Sequence, residues 1–461
     1  MCAQQTKKEP SRKTEHKLEY PESGIKGFLK NHCGPSLVWA LLGIGGSHIV
    51  LSPTLGGTYG LIAIWILGFI YLVKYGCWEL GIRYNYASGN NIIDGYSRIP
   101  GPNNWAVWLS LLAIINATIF NTAAVGISAA TFAMIGVPLD TIPMYVGLLI
   151  LTAAILIAMD YEWMERFLLL FVILLVGLIV LSVMYGPPSG DVVGQTLFNV
   201  GQLSDAAFIA LFASAAGLAP TALSSSLMLG SWSITKNGGA KQVDQKDLDI
   251  SQEEYDDYIS KWIQTGLRDF KIGYLFSFVL IISLAVLSAN IFYPSPPSDE
   301  DLALQIGQLL SGSFGAWSFY VVIIGAFAAL WSTVIAQLDG GSRVVLELVD
   351  ELSKNSSILG SVVGGVPTTE RANKIVVVLL LIASMIPVIA VGGVPVTLVI
   401  MFGLSLIILE VFVYPANLYI VKNDLPEKFQ PSTKKVQYYL IAIGLMVLFG
   451  ILGAAGQLGF I

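Results

Sequence analysis

The sequence predicts an all-α integral membrane protein with eleven transmembrane helices, arranged as two inverted five-helix repeats and one additional helix. Hydrophobic residues make up 55% of the 461 positions and charged residues only 12%, whereas soluble domains carry about 25% charged residues. The mean hydropathy is +0.71. Two of the apolar stretches are interrupted at matched positions by glycine, proline and hydroxylic residues, and this pairing predicts the repeat.

Eleven apolar stretches are long enough to cross a bilayer, which takes about 20 residues of helix. They lie near 35–60, 61–83, 105–135, 142–159, 167–185, 206–234, 270–292, 315–338, 374–391, 396–420 and 437–457. The loops on one side of the predicted membrane contain no Lys or Arg, namely 136–141, 186–205, 293–314 and 392–395. Because cytoplasmic loops are rich in Lys and Arg, this pattern predicts a multi-pass protein of the cell membrane with a cytoplasmic N-terminus and an outside C-terminus.

The predicted organisation has four segments. They are a disordered cytoplasmic tail at 1–33, a first repeat at 34–186, a second repeat at 187–420 with a cytoplasmic loop at 236–267, and a linker with the eleventh helix at 421–461. In the loop, Tyr258, Ile259, Trp262 and Ile263 recur at helical spacing, which is typical of an amphipathic helix on the inner membrane surface. A solvated connector is the alternative interpretation.

The first and sixth stretches contain the matched interruptions. Residues 43–49 read GIGGSHI, and residues 213–226 read ASAAGLAPTALSSS. Backbone polar groups at membrane depth must be satisfied, so irregular backbone survives there only where it is buried in protein or lines a cavity. We therefore expect unwound backbone at about 44–48 and 217–221, with the two unwound helices facing each other across a substrate site, as in transporters of the LeuT type. The alternative is that the small residues only allow close helix packing.

Residues at or beside the two interruptions are the candidate substrate site. We expect one polar cavity near the middle of the membrane, lined by Gly45, Gly46, Ser47, His48, Ala219, Thr221 and Ser224. His48 is the titratable group of the two motifs and could act as a donor, an acceptor or a metal ligand. The alternative for His48 is a hydrogen-bonded packing residue.

The chain also resembles the Nramp (natural resistance-associated macrophage protein) family of divalent-metal transporters. The first stretch fits the family pattern without gaps at Gly34, Pro35, Gly56, Tyr59 and Gly60. Further similarity lies at 136–139 and 329–343. The resemblance covers almost the whole chain after residue 30 and implies the LeuT-type fold and transport of metal ions.

The functional motifs of that family differ in this sequence. The positions of its Asp-Pro-Gly-Asn metal motif are occupied by Gly45, Gly46, Ser47 and His48, and those of its Met-Pro-His motif by Ala219-Pro220-Thr221. The family's acidic groups for proton passage have no counterpart in the third stretch between 113 and 138. We therefore expect weak or absent transition-metal transport and no proton coupling of the family type.

Three ionisable residues lie within predicted spans, where charged groups usually mark function. Lys74 and Glu79 lie in the second span and Glu410 in the tenth. Glu79 could pair with Arg83 four positions later. Glu410 could supply a negative charge missing from the first span or pair with Lys74, and Lys74 could take the place of a coupling cation.

Three functions fit these observations. A hydrated cation such as Mg²⁺, which keeps several waters when bound, fits a polar site without carboxylates. An organic solute such as an amino acid fits exposed amides at Gly45, Gly46 and Ser47. A transport-inactive receptor fits the lost ligands. The sequence contains no nucleotide-binding fingerprint or catalytic cluster, so we expect neither an enzyme nor a bound cofactor. The expected partners are the substrate and the lipid bilayer, not nucleic acid; the sequence does not indicate an oligomeric state.

Overall fold

The computed structural model describes residues 18–22, 24–158, 173, 176–177, 179–201, 206–237, 250–309, 311–354 and 370–457. All regular secondary structure in this part of the chain is helical, as predicted. Seven of its helices are long and apolar enough to cross a membrane, and Thr141–Ile157 and Ala206–Leu218 are shorter apolar helices. Nine of the 19 residues of the predicted fifth span, 167–185, lie outside the described residues, so the count of eleven stays a prediction.

Residues 179–185 are helical, and the longer helices of the N-terminal half within the described residues are numbered α1 to α5. They are α1 (Pro35–Gly43), α2 (Ser52–Tyr59), α3 (Ala63–Ser88), α4 (Trp105–Ala133) and α5 (Thr141–Ala158). A π-helical turn, Gly46–Leu51, leads into α2, and a 3₁₀ turn, Gly60–Ile62, leads out of it. Short helical segments lie at Ile25–Gly27, Phe28–His32, Ile93–Tyr96 and Gly190–Thr196.

The helices of the C-terminal half that lie within the described residues are numbered α6 to α14, apart from three short segments given below. They are α6 (Ala206–Leu218), α7 (Ser225–Asn237), α8 (Gln252–Phe292), α9 (Trp317–Lys354), α10 (Glu370–Ala383), α11 (Met385–Val391), α12 (Pro395–Leu409), α13 (Val413–Asp424) and α14 (Thr433–Gln457). Short segments lie at Leu302–Gln308, Ser311–Phe314 and Glu427–Phe429. The tenth predicted span was expected to be continuous, but it is interrupted at 410–412, between α12 and α13.

The predicted surface helix near 252–266 is wrong. This segment forms the first turns of α8 and continues without interruption into the seventh span. Its apolar face is buried by protein, because Tyr258 packs edge-on against Tyr20 and Trp262 packs against His32 and Tyr86. An apolar face at helical spacing looks the same in sequence whether lipid or protein covers it.

The predicted disorder of the N-terminal tail is also wrong for its last residues. Residues 25–32 are helical and Phe28 is buried, with the Arg268 guanidinium lying over its ring at 4.5 Å from the centroid. Residues 1–17 and 23 lie outside the described residues.

Two close contacts hold the helices around the interruptions. Asp269 of α8 accepts hydrogen bonds from the backbone N–H of Gly34 and Ser36, both at 3.0 Å, and so caps the beginning of α1. Helices α6 and α12 cross with their backbones in contact, because a Cβ atom at Gly217 would overlap the carbonyl oxygen of Gly403 and one at Gly403 would overlap that of Ser214.

Candidate functional site

The first break separates α1 from α2. The α-helix ends at Gly43, residues 44 and 45 are not helical, and the wider π-helical turn follows from Gly46 to Leu51. Gly45 has φ −99° and ψ −121°, outside the helical region. A Cβ atom there would lie 2.7 Å from Cγ2 of Thr333, so the position accepts a side chain only if Thr333 moves. The predicted interruption at 44–48 is therefore present, with fewer fully unwound residues than expected.

The second break separates α6 from α7 at residues 219–224. The predicted range of 217–221 begins two residues too early, because α6 continues through Gly217 and ends with a hydrogen bond from Ala219 N to Ala215 O at 2.8 Å. The sequence contains the right breaking residues, but α6 continues through the first of them, Gly217, and ends at Leu218, before Pro220.

The two breaks touch each other. The Ser47 hydroxyl lies 3.1 Å from the carbonyl oxygen of Pro220 and 2.7 Å from that of Gly43. A Cβ atom at Gly43 would lie 2.7 Å from the same Pro220 oxygen, so the backbones approach closely at this point. The structure thus brings the first-break and second-break motifs together in the core.

His48 is held at both ring nitrogens by neutral groups. Its Nε2 atom lies 3.0 Å from the carbonyl oxygen and from the hydroxyl of Ser277, and 3.3 Å from the Tyr71 hydroxyl. A carbonyl oxygen can only accept, so we assign the proton to Nε2. Nδ1 is then an acceptor, 2.8 Å from the Ser47 hydroxyl. The lone pair that a metal would need therefore points at the Ser47 hydroxyl in this conformation.

Ser47 has one proton for three neighbouring acceptors. It can donate to Gly43, to Pro220 or to His48 Nδ1, but to only one of them at a time. Rotation of one hydroxyl therefore redistributes the hydrogen bonds of the first break without moving a helix.

Lys74 is bonded to the second break. Its Nζ atom donates to the carbonyl oxygens of Gly217 and Thr221, both at 2.8 Å, and the side chain is 0% exposed. Gly217 lies in the last turn of α6 and Thr221 lies three residues beyond its end. The C-terminal end of a helix leaves carbonyl acceptors unpaired and carries a partial negative charge. Lys74 thus supplies positive charge where the half-helix requires it.

Glu410 is bonded to the opposite end of the same break. Its Oε2 accepts from the backbone N–H of Ser224 at 2.9 Å, and its Oε1 accepts from the Ser224 hydroxyl at 2.7 Å. This position is the N-terminal end of α7, which favours negative charge. Among the ion pairs of the described residues there is none between Glu410 and Lys74; each of the two charges instead binds one free helix end at the second break.

Glu79 lies away from both breaks. It pairs with Arg83 at 3.0 Å, as the spacing predicts, and also with Lys435 of α14 at 2.6 Å. Its ion pair with Lys435 joins α3 to α14.

All seven candidate substrate residues are buried. Ser47 and His48 belong to the neutral hydrogen-bond network, Thr221 offers its carbonyl to Lys74, and Ser224 binds Glu410. Gly46 faces the apolar side chains of Val125 and Val399. The breaks are packed against each other in this conformation, and a common cavity between them stays a prediction.

Three residues that contact the site were not predicted from the sequence. Ser277, Tyr71 and Thr333 lie in the middle of helices, and a single hydroxyl in an apolar helix gives no signal that distinguishes a site from ordinary packing. Within the described residues, no group of three or more His, Cys, Asp or Glu side chains is placed to hold a metal ion.

One relative is similar to this chain in sequence over about two thirds of its length. The chain is 26% identical over 330 residues to an uncharacterised protein of Pasteurella multocida (strain Pm70), and the match covers 68% of this chain and 69% of that protein.

Two solved structures share the fold. The manganese transporter of Eremococcus coleocola, in complex with an aromatic bis-isothiourea substituted compound, is similar with a TM-score of 0.68 at 12% identity, over 96% of this chain and 89% of that one. MhsT in complex with L-phenylalanine is similar with a TM-score of 0.53 at 14% identity, over 90% of this chain and 98% of that one. Identities this low show the fold alone.

The family model described as natural resistance-associated macrophage protein-like matches residues 37–455. This match includes both breaks and all helices from α2 to α13. The chain is therefore an integral multi-pass membrane protein that belongs to the Nramp family.

Proposed function

We propose that this protein is a membrane transporter that carries a cation with its hydration shell largely retained, as Mg²⁺ is usually bound. The observation that carries the proposal is that both nitrogens of His48 and both oxygens of Glu410 already have hydrogen-bond partners. A transition metal that sheds its water requires carboxylate, imidazole or sulfur ligands. The hydroxyls and carbonyls at the two breaks can instead bind the water shell of an ion.

The charges at the breaks support the same conclusion. Lys74 and Glu410 contribute opposite charges, and each neutralises a helix end. No net negative charge from this pair is left to stabilise a bare dication, which argues for an ion that stays screened by its own water.

A small organic solute is the second candidate, because Lys74 places a buried positive charge at the second break. An amino-acid carboxylate could bind there together with backbone amides of Gly45, Gly46 and Ser47, since helix termini and exposed amides favour anions. A receptor-like protein that transports nothing is the third candidate.

Flux measurements in proteoliposomes separate these functions. Uptake of Mg²⁺, Mn²⁺ and a panel of amino acids is followed in vesicles with and without the protein. We expect Mg²⁺ flux, little Mn²⁺ flux, no accompanying acidification, and inhibition by cobalt(III) hexaammine, which imitates a hydrated ion and cannot lose its ligands. Amino-acid flux without Mg²⁺ flux would establish the second candidate, and no flux would favour the receptor.

A gain-of-function variant tests whether the altered motifs exclude Mn²⁺. Gly45→Asp, Ser47→Gly, His48→Asn and Ala219→Met together restore most of the family's ligand types. The structure shows that the new aspartate would collide with Thr333, so Thr333→Ala must be added. We expect Mn²⁺ binding by calorimetry only in the five-fold variant. Mn²⁺ binding by the unaltered protein would contradict the proposal.

We also propose the orientation and the repeats derived from the sequence. The N-terminus lies in the cytoplasm, the C-terminus lies outside, and 34–186 and 187–420 are the two inverted repeats. The charge asymmetry of the loops supports this orientation. Protease accessibility of terminal tags in inside-out vesicles tests it, and cleavage of a C-terminal tag from the cytoplasmic side would contradict it.

A further inference from the structure

We propose that the carbonyl oxygens of Gly217 and Thr221 form a site for a monovalent cation, and that the ammonium group of Lys74 occupies it. The protein would therefore require no dissolved Na⁺ or K⁺ at the second break. This inference goes beyond the proposed function, because it holds whichever solute is carried.

The position of the two carbonyls is that of an ion site. One lies in the last turn of α6 and the other in the non-helical segment that follows it, and such half-helix ends in broken-helix transporters coordinate small cations through free carbonyl oxygens. The two oxygens converge on one atom, Lys74 Nζ, at 2.8 Å each. An ammonium group is a compact point charge with donors only, so it satisfies the same oxygens that a metal ion would.

The surroundings of Lys74 favour a charged occupant. The side chain is 0% exposed, and the indole ring of Trp78 lies below the ammonium group at 5.6 Å from its centroid. A ring face attracts a cation. Glu410 lies at the other end of the same break and provides the opposing charge. Carbonyls, an aromatic face and a carboxylate would all favour a positive charge at this point.

Lys74 reaches the site from another helix. It belongs to α3, whereas the carbonyls belong to α6 and the segment that follows it. Because Lys74 is covalently part of α3, its ammonium group also links the second span to the second break, which a dissolved ion could not do. A dication at the same oxygens would meet the ammonium group at short range and be repelled.

Chemical rescue in a truncated variant tests the proposal. Lys74→Ala removes the ammonium group and leaves a space lined by the two carbonyls. The melting temperature of the purified full-length variant is measured in detergent with ammonium, methylammonium, sodium, potassium or choline chloride at equal ionic strength. We expect the variant to melt lower than the unaltered protein and to regain part of that loss, saturably, with one or more small cations but not with choline.

Two control variants identify the cause of any rescue. Leu80→Ala opens a space at another fully buried position of α3. Lys74→Met fills the original space with an apolar side chain of similar length. Neither should respond to small cations more than to choline. An equal response of Leu80→Ala, or no difference between small cations and choline in Lys74→Ala, would overturn the proposal.

The unaltered protein provides a measurement that does not depend on the folding of any variant. If the site is already filled, replacing choline by sodium or potassium should leave its melting temperature unchanged, and ²²Na⁺ should show no saturable binding that sodium alone competes for. Saturable sodium binding by the unaltered protein would overturn the proposal. Both readouts are independent of flux, so failure of the hydrated-cation proposal would not affect them.

Discussion

The first and second breaks lie against each other, yet their free ends are satisfied by different chemistry. At the first break the partners are neutral, namely the Ser47 hydroxyl, the His48 ring and the Ser277 carbonyl. At the second break a lysine binds the end of one half-helix and a glutamate binds the beginning of the other. Two matched interruptions of one fold have thus been stabilised in two ways.

The difference concerns how easily each break can rearrange. A hydroxyl with three neighbouring acceptors can exchange them by rotation, at the cost of one modest hydrogen bond of about 1 kcal/mol. Removing one member of a buried charged arrangement leaves the others unpaired and costs several times more, about 3–5 kcal/mol. We infer that the second break is the fixed part of the site and the first break the adjustable part.

Removal of the Glu410 carboxylate should give the largest loss of unfolding free energy. Glu410→Ala leaves the Ser224 N–H and hydroxyl without their acceptor and Lys74 without the nearby negative charge, so we expect a loss of about 3–5 kcal/mol in unfolding free energy. Denaturant unfolding in detergent measures it. Glu410→Gln keeps an acceptor and should lose clearly less; equal losses would mean that side-chain volume, not charge, holds the second break.

The cap on α1 should give the next largest effect. Asp269→Ala removes the acceptor of two backbone N–H groups, at Gly34 and Ser36, and should cost about 2–3 kcal/mol. Hydrogen exchange should accelerate within α1 but not within α6. Asp269→Asn, which keeps one acceptor, should lie between this variant and the unaltered protein. Unchanged exchange in α1 would show that the first broken helix is held elsewhere.

Removal of the hydroxyl at the first break should have a smaller effect. Ser47→Ala is expected to cost about 1 kcal/mol, because the acceptors that it leaves are neutral. The matched control is Ser110→Ala, another buried serine that bonds to its own helix at Ala106 O. A loss as large as that of Glu410→Ala would remove the distinction between the two breaks.

The smallest effect is expected far from both breaks. Lys435→Gln should lower the unfolding free energy by about 0.5–1 kcal/mol, because the lysine is half exposed and Glu79 keeps Arg83 as a partner. The difference should shrink in high salt, which screens exposed charges. Lys434→Gln, at an exposed neighbouring position, should have no measurable effect. An effect above that of Ser47→Ala would show that the α3–α14 contact is as important as the site.

The sequence predicted the class of fold and the approximate location of both breaks, because each depends on local composition. Long apolar stretches require helices in a bilayer, and Gly45, Gly46 and Pro220 cannot continue one easily. The limits of the breaks were less accurate. The end of α6 depends on tertiary contacts of Gly217 with α12 and Lys74, and these are not visible locally.

The partners of the charged residues could not be predicted for a related reason. Lys74 and Glu410 were recognised because charges are rare within spans, but their partners lie 143 and 186 positions away. The cap on α1 joins residues 233 positions apart. A sequence indicates that a buried charge needs a partner, whereas only the helix packing decides which free backbone end it reaches.

The glycine contact between α6 and α12 limits how this protein can move. Each backbone lies directly against the other, and a side chain at either Gly217 or Gly403 would overlap a main-chain carbonyl oxygen, so only this close pairing of the two helices fits. Glu410 directly follows α12 and accepts a hydrogen bond from the backbone N–H of Ser224 at the beginning of α7. Together α6, α7 and α12 would behave as one rigid body. In a transport cycle, α1 and α2 would then move relative to this body, with the hinge at the neutral junction between them.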